Sequence, residues 1–240
     1  MGEPAGWQER VEEFVLDQIG DPPARVLEVG CGEGELARTL ARAGHSVTAI
    51  DPRAPEGTIF QRVRIEEFSD PGPFDYVVAI LSLHHVEDLG KVLGKIANLL
   101  RAGGSLVAIE LAWDQFDDAT AEWALERLPG ASSSEKPSWL QHRCWEWVRG
   151  GQGGTRAPAE AHFAGWASAE GLHSSRQMRD ELGRRFDEWL FEWVPYLYPD
   201  LDDDTSEPDE SAAIEAGTIN GTGFRYVGTL ALEGEHHQAH

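Results

Sequence analysis

The sequence is poor in cysteine and contains no long apolar run. Its 240 residues include only two cysteines, Cys31 and Cys144, so a disulfide framework is excluded, and no cysteine–histidine spacing indicates a metal site. No segment reaches the roughly 18 apolar residues that a membrane-spanning helix needs. The N-terminus also lacks a basic stretch followed by an apolar core. We therefore expect a cytoplasmic protein with no membrane partner and no bound metal.

Basic residues are scarce as well. The chain has 20 lysines and arginines against 42 acidic residues, which gives a formal net charge of −22. Nucleic-acid binding needs a patch of basic side chains, and a field of this sign repels phosphate backbones. The charge therefore disfavours a nucleic-acid partner. The length fits one α/β domain with an insertion, and it leaves the oligomeric state open.

The most informative segment is a glycine-rich turn between a predicted strand and a predicted helix. An apolar run leads into three glycines at alternate positions, Gly30, Gly32 and Gly34, and apolar residues at helical spacing follow. Glycines let the backbone adopt positive φ and approach a ligand closely. A dinucleotide fingerprint would be G-x-G-x-x-G, whereas this loop has the alternate spacing, with Glu28 two residues before its first glycine. The turn therefore indicates a nucleotide-type ligand other than a nicotinamide dinucleotide.

A second acidic residue ends the next predicted strand. Asp51 follows the apolar segment 45–50 and stands 17 residues beyond Gly34. A carboxylate at such a strand end can accept hydrogen bonds from both hydroxyls of a ribose. The alternative is that Asp51 caps the next turn, since Asp51 and Pro52 form a common turn start. The glycine loop upstream favours ribose binding.

The E-x-G-x-G-x-G form of this loop resembles the first motif of the class I S-adenosylmethionine-dependent methyltransferases. The predicted strand 74–82 and the turn 81–88 after it are similar to the fourth strand and following turn of the members that act on small molecules. The resemblance covers Arg25 to about Glu110. It implies S-adenosyl-L-methionine as cofactor, with the glycine loop around its amino acid end and Glu28 at its ammonium group. It places Asp51 at the ribose and Leu81 along the methionine part.

One position departs from the family pattern. Many members carry an Asp, a small residue and an acid after the third strand, and the Asp meets the adenine amino group. Here Arg64 stands in place of that Asp and Ile65 in place of the small residue, and a guanidinium has only donors. We therefore assign Ile65 and Glu66 to the adenine end and leave Arg64 out. Either Glu66 accepts from the amino group or backbone groups alone bind the ring.

Strands and helices alternate strictly up to Glu110, which is the pattern of a parallel, doubly wound sheet. We predict an α/β fold with a Rossmann-like, doubly wound, seven-stranded and mostly parallel sheet and a helical insertion after the fifth strand. Residues 1–110 form the cofactor-binding half with an N-terminal lid helix, and residues 111–174 form a helical substrate-cap insertion. Residues 175–232 complete the sheet, and residues 233–240 form a flexible tail.

Three local predictions depend on weaker signals. Residues 186–194 suit a helix or a strand, and we choose a strand because the family's sheet needs a sixth one. The helix after the fourth strand is expected to end in a glycine C-cap at Gly103 and Gly104. The acidic, proline-containing segment 200–210 is predicted to be a loop.

Histidines are the candidates for a general base, because a hydroxyl acceptor would have to lose a proton near neutral pH. His84 and His85 follow the fourth strand at its carboxyl end, the edge where open α/β sheets bind ligands. Neighbours in sequence point to different sides, so at most one is expected to face the pocket, and we assign His85 as base or substrate contact. A histidine satisfied by backbone groups is the alternative. The other histidines considered are His142, His162 and His173.

The predicted insertion contains six of the nine tryptophans. One interpretation is a helical face that packs against the main sheet, formed by Trp113, Phe116, Ala119, Trp123 and Leu128. The other is an aromatic pocket over the cofactor, since ligand sites are mostly apolar, formed by members of the group Trp139, Trp145, Trp147 and Trp166.

Taken with the resemblance, these features predict a methyltransferase acting on a small molecule, with oxygen as the favoured acceptor atom and nitrogen or carbon as alternatives. The Asn/Asp-Pro-Pro-aromatic signature of enzymes that methylate macromolecular amines is missing, because the fourth strand ends in Leu81, Ser82, Leu83 and His84. The competing hypothesis is a protein that binds S-adenosylmethionine without methyl transfer, either a regulator or an enzyme with another reaction. An insertion that closes the pocket over the methyl group would favour it.

Overall fold

The computed structural model describes residues 6–70, 72–130, 136–151 and 156–231. The predicted flexible tail, 233–240, lies outside the described residues. Seven strands form one sheet in the order β3-β2-β1-β4-β5-β7-β6. They are β1 Arg25–Val29, β2 Ser46–Ile50, β3 Phe60–Gln61, β4 Phe74–Ile80, β5 Leu100–Leu111, β6 Phe186–Val194 and β7 Gly223–Leu230. Strands β1 to β5 are parallel to one another, and β7 is antiparallel to β5 and β6. The predicted fold is confirmed.

The described residues also form eight helices and three short 3₁₀ turns. The helices are α1 Trp7–Ile19, α2 Glu35–Arg42, α3 Leu89–Leu99, α4 Asp118–Glu126, α5 Trp139–Gly150, α6 Ala159–Glu170, α7 Ser175–Leu182 and α8 Glu207–Glu215. The 3₁₀ turns are Leu83–His85, Trp113–Gln115 and Tyr198–Asp200. No helix in the described ranges is long and apolar enough to cross a bilayer.

Alternate residues of the central strands enter two separate cores, because successive side chains of a strand point to opposite faces of the sheet. Val26, Val78 and Val107 pack with the buried faces of α1 and α2. Their neighbours Leu27, Val77 and Leu106 pack with α3 and α7 on the other face. Strands buried on both faces explain the continuous apolar runs in the sequence.

The insertion forms a third core of its own. Its buried members are Phe116, residues of α4, α5 and α6, among them Trp147 and Phe163, and Leu197 and Leu201 from the segment after β6. The Phe116 and Phe163 rings stack with centroids 4.0 Å apart. The interpretation that the Phe116 face packs against the main sheet is therefore wrong. It packs within the insertion and on residues 196–201, whose position the sequence pattern could not show.

Two local predictions are also corrected and one is confirmed. α3 ends at Leu99 and β5 begins at Leu100, so Gly103 lies inside a strand with φ of +69° and caps no helix. α8 begins at Glu207, within the predicted loop, where Ser206 and Asp209 form a capping box. Residues 186–194 form the edge strand β6, as chosen.

Candidate active site

A cavity of about 850 Å³ lies at the carboxyl ends of β1, β2 and β4. Its walls are the glycine loop after β1, the turn 51–53 after β2, residues 63–66 after β3 and residues 80–86 after β4. The first two turns of α1 complete it with Trp7, Gln8 and Val11. All the residues predicted to bind the cofactor line this cavity, and so does His85: Glu28, Gly30, Gly32, Gly34, Asp51, Ile65, Glu66 and Leu81.

The three loop glycines occupy backbone conformations that other residues rarely adopt. Their φ angles are +77° at Gly30, +49° at Gly32 and +78° at Gly34. A Cβ at Gly30 would stand 2.5 Å from Ser82 Cβ, and one at Gly34 would overlap the Phe60 ring, whereas one at Gly32 would meet nothing within 4 Å. Gly30 and Gly34 thus bring chain segments together, and Gly32 leaves open space along the cavity.

Glu28 is a buried acid with an unmade hydrogen bond. Its side chain is almost fully buried, and Oε2 has no hydrogen-bond partner. Burial raises the pKa of the Glu28 carboxyl to about 8; the charges of Asp51 and Glu12 add to the rise, and the Ala37 backbone N–H opposes it. A buried carboxylate oxygen without a partner is costly, so Oε2 favours a cationic ligand.

Asp51 combines both predicted roles in its geometry. Its Oδ1 accepts a hydrogen bond from the Arg53 backbone N–H at 2.6 Å, which caps the turn after β2. Its Oδ2 accepts from the Gly32 N–H at 3.3 Å, which ties the turn to the glycine loop. A carboxylate oxygen can accept more than one hydrogen bond, so Asp51 still has acceptor capacity on the cavity wall.

The remaining predicted residues differ in burial. Ile65 is buried, Glu66 is exposed, and Arg64 lines the cavity beside them. Leu81 has φ of +49° and is the one non-glycine residue with positive φ in the described ranges. Its N–H donates to the Ile109 carbonyl at 2.8 Å. Such strained backbone is typical of functional sites, where surrounding contacts hold it.

Glu110, at the end of β5, organises the turn that carries His85. Its fully buried carboxylate accepts from the backbone N–H groups of Ser82 at 3.0 Å and Leu83 at 2.7 Å. Its Oε2 lies 2.5 Å from Nδ1 of the buried His84. Only one histidine of the pair therefore faces the cavity, as expected, because the other is bound to Glu110.

His173 closes this turn from the other side. Its backbone N–H donates to the His84 carbonyl at 3.0 Å, and its Nε2 lies 2.8 Å from the Val86 carbonyl oxygen. The Trp113 indole N–H in turn donates to the His173 carbonyl at 3.0 Å. The loop after β4 is thus fixed by β5 and by the end of the insertion together.

His85 lies at the exposed rim of the cavity. Its ring centroid is 4.1 Å from that of His84. Partial burial lowers the pKa of His85 below the usual histidine value, the charge on His84 lowers it further, and Glu110 and Glu170 oppose the shift. The neutral imidazole, which can accept a proton, is therefore the prevailing form at pH 7.

The chain matches known methyltransferases in sequence. A family described as "Methyltransferase domain" matches residues 3–151. A ubiquinone biosynthesis O-methyltransferase from Xylella fastidiosa (strain 9a5c) is 32% identical in an alignment 197 residues long that covers 74% of this chain and 70% of that protein. The chain belongs to the S-adenosylmethionine-dependent methyltransferases.

Solved structures share the methyltransferase's fold. One is an S-adenosylmethionine-dependent methyltransferase from Mesorhizobium loti, with a TM-score of 0.56 and 17% identity over 92% of this chain and 96% of that one. Another is geranyl diphosphate C-methyltransferase from Streptomyces coelicolor A3(2), in complex with S-adenosyl-L-homocysteine. Its TM-score is 0.53 at 14% identity, over 93% of this chain and 79% of that one. At these identities the likeness concerns the fold.

The cavity of this methyltransferase fits its cofactor, S-adenosyl-L-methionine. The unpartnered Glu28 Oε2 suits an ammonium group. The open space at Gly32 suits close approach of a ligand to the backbone. The acceptor capacity of Asp51 suits a diol. The side-chain and backbone groups of this cavity are thus complementary to the cofactor of the family.

The tryptophans of the insertion do not line the cavity in the described part of the methyltransferase. Trp147 is buried, and its indole N–H donates to the Ala157 carbonyl at 2.9 Å. Trp139 and Trp166 stack with centroids 5.7 Å apart. An aromatic pocket of Trp139, Trp145, Trp147 and Trp166 over the cofactor is therefore wrong. The insertion contributes through its last turn, by way of His173.

Sequence reasoning missed two functional elements of the methyltransferase. The lid helix was predicted, but the sequence did not show which of its residues face the cavity. These residues are Trp7, Gln8 and Val11. Glu110 was treated only as a strand end. A single acid within an otherwise apolar run is the signal that could have identified it, because buried charges need partners.

Proposed function

We propose that this methyltransferase transfers the methyl group to a hydroxyl oxygen of a small molecule, with His85 as the base that takes the hydroxyl proton. The observation that carries the proposal is the position of His85, on the cavity wall in the turn after β4 and with a lowered pKa. A neutral imidazole is suited to a hydroxyl acceptor, whereas an uncharged amine needs no base before it attacks.

The cofactor-binding residues are assigned by their geometry. Glu28 would hold the ammonium group, and the loop of Gly30, Gly32 and Gly34 would wrap the amino acid end. Asp51 would hold the ribose hydroxyls, and the adenine end would lie against Ile65 and Glu66. Leu81, fixed in its strained conformation by the Ile109 carbonyl, would border the methionine part.

The protein's own contribution is positioning and proton acceptance. When bound, S-adenosylmethionine supplies a methyl group activated by the positive sulfur, so little further activation is needed. Trp7 and Val11 of α1 exclude water from that side of the cavity. His85 accepts the proton of the acceptor hydroxyl on its neutral ring, and Glu110 keeps the turn that carries His85 in place through Ser82 and Leu83.

Two further observations support this function over binding without methyl transfer. No described residue of the insertion lines the cavity, so the described part of the insertion leaves open the space that an acceptor would need. The Xylella relative is named an O-methyltransferase, which favours oxygen over nitrogen or carbon as the acceptor atom.

The first experiment is calorimetric titration with S-adenosylmethionine, S-adenosylhomocysteine and, as control, NAD. We expect micromolar binding of both adenosyl ligands and none of NAD. Asp51→Ala should weaken both affinities about 100-fold, because the ribose loses its main acceptor, and near-normal affinity would contradict the ribose assignment.

The second experiment is methyl transfer to a panel of phenols, amines and activated carbon acids. We expect O-methylated products, and a His85→Asn variant should lower kcat by about 100-fold while leaving the affinity for S-adenosylhomocysteine within about threefold. Products methylated only on nitrogen or carbon would overturn the proposal.

A further inference from the structure

A second, smaller cavity adjoins the first and has a very different wall. Its volume is about 40 Å³, and it lies between α1 and the strands β5, β6 and β7. Trp7 and Val11 line both cavities. A space of that size takes a few atoms the size of a water molecule. It suits a carboxylate group and excludes an aromatic ring.

Two arginines of this wall have buried N–H groups without an aligned acceptor. Arg225 Nε has no hydrogen-bond partner, and the same guanidinium has its Nη1 3.3 Å from the exposed Glu192. Arg10 Nε lies 2.8 Å from Glu207 Oε2, yet it also lacks an aligned hydrogen bond. Because a buried donor without an acceptor is costly, a ligand oxygen that accepts from Arg225 Nε would be favoured.

Two tyrosines, Tyr196 and Tyr198, also line this cavity, and hydrogen bonds fix their backbone. The backbone N–H groups of Tyr196, Leu197 and Tyr198 all donate to the buried carboxylate of Glu210, at 2.8 to 2.9 Å. Burial raises the pKa of the Tyr198 phenol to about 12, so it keeps its proton and remains a donor at neutral pH. The lining of the small cavity therefore includes three side chains that can donate hydrogen bonds at neutral pH, Arg10, Arg225 and Tyr198.

The charge of this wall differs from that of the molecule. Arg10 and Arg225 outnumber Glu207 among its lining residues, whereas the whole chain has a net charge of −22. Glu13 and Glu192 contact the two arginines from the solvent side, with 64% and 46% of their side chains exposed. Water screens such exposed charges, so the interior of the cavity favours an anion.

Building on the proposed function, we propose that the acceptor is an aromatic hydroxyl compound bearing a carboxylate, and that the cavity between Arg10 and Arg225 binds this carboxylate. Three aromatic side chains, Trp7, Tyr196 and Tyr198, line the small cavity, and Trp7 continues into the large one. A planar ring that lies in the large cavity against Trp7 would place its carboxylate in the small cavity and keep its reacting hydroxyl in the large one.

The test compares pairs of probes that differ only in the carboxylate, on protein loaded with S-adenosylhomocysteine. The pairs are 4-hydroxybenzoate and phenol, 3,4-dihydroxybenzoate and catechol, and 4-hydroxyphenylacetate and 4-cresol. Calorimetry should show at least one carboxylate binding about tenfold or more tighter than its partner. Arg225→Gln and Arg10→Gln should each remove most of that preference while leaving the affinity for S-adenosylhomocysteine unchanged. Arg184→Gln, an exposed arginine after α7, is the matched control and should retain the preference.

The outcomes separate this inference from the proposed function. No carboxylate preference in any pair, or a preference that survives Arg225→Gln, would overturn the inference. O-methylation of the neutral phenols without such a preference would leave the proposed function intact and remove only the carboxylate site. An Arg225-dependent preference with no methyl transfer to oxygen would support the site and contradict oxygen as the acceptor atom.

Discussion

The two cavities that share Trp7 are built in opposite ways. Apart from α1, the large cavity is lined by residues 28–86 of the chain, and local backbone shapes decide its form, above all the positive φ values of Gly30 and Leu81. The small cavity is lined by residues from five distant parts of the chain. Buried side chains such as Glu210 hold it together.

This difference separates what one fold keeps constant from what it can vary. A wall determined by local backbone conformation holds the same cofactor whatever the rest of the chain does. A wall gathered from α1, β5, the segment after β6, α8 and β7 can change one element at a time, which is how one fold serves many acceptors. If the two walls are independent, a substitution can damage either wall without affecting the other.

The largest expected effect is on the acceptor side. Glu210→Ala leaves the N–H groups of Tyr196, Leu197 and Tyr198 without their acceptor, so we expect a loss of about 4 kcal/mol in the free energy of unfolding. Glu210→Gln keeps one acceptor oxygen and should lose about half as much. Urea unfolding measures both, and Glu215→Ala, an exposed position of the same helix, is the control at under about 0.5 kcal/mol.

Because the two walls are expected to be independent, the Glu210→Gln variant should bind S-adenosylhomocysteine within about threefold of the affinity of the unchanged protein. A large loss of cofactor affinity in this variant would show that the two walls are coupled.

The next effect concerns the cofactor wall. Gly30→Ala adds a Cβ that would stand 2.5 Å from Ser82 Cβ, at a φ of +77°. Strain and overlap together should cost about 3 kcal/mol of stability and abolish measurable cofactor binding. Gly165→Ala in α6 has free space around its Cβ and should raise stability by up to about 1 kcal/mol. Equal unfolding midpoints for the two variants would contradict the role of Gly30.

The difference between a wall formed by local backbone and a wall formed by distant segments also explains which features could be predicted from the sequence. Strands β1 to β5, the glycine loop and Asp51 could be predicted because each depends on local spacing or local φ. The neighbours of Phe116 and the partners of Glu110 and Glu210 could not be predicted, because they come from other segments, about 12 to 85 residues away in sequence, and only the fold brings them together. His85 was predictable only in part. Its position at the cavity followed from the end of β4, but its orientation depends on the bonds of Glu110 to the turn.

A smaller effect is expected at Glu28, where stability and binding should change in opposite directions. The folded pKa of about 8 exceeds the ordinary value of 4.5. The fold therefore favours the protonated acid, and the cofactor-free protein loses stability as the pH rises from about 4.5 to about 8. Glu28→Gln removes this loss and should gain roughly 2 to 3 kcal/mol at pH 7. Thermal unfolding over pH 5–8 measures it, with the exposed Glu160→Gln as control.

At Glu28, the substitution that raises stability should weaken cofactor binding. Only the ionised carboxylate attracts an ammonium group, so the affinity of the unchanged protein for S-adenosylmethionine should rise between pH 6 and 8. Glu28→Gln should bind at least tenfold more weakly at pH 8. A variant that is both more stable and equally good at binding would remove Glu28 from the cofactor site.

The smallest effect is a shift in the pH dependence of methyl transfer. Because burial and His84 lower the pKa of His85, its neutral form persists below the ordinary histidine pKa. The activity should therefore fall only at a pH below about 6.5. His84→Gln removes a group that lowers the pKa of His85 and leaves Glu110, whose charge raises it, so the acid limb of the pH–activity profile should move to higher pH. His142→Gln, on the exposed face of α5, should leave the limb in place. If the acid limb of the pH–activity profile does not move in His84→Gln, another group is titrating, and the assignment of His85 as the base is wrong.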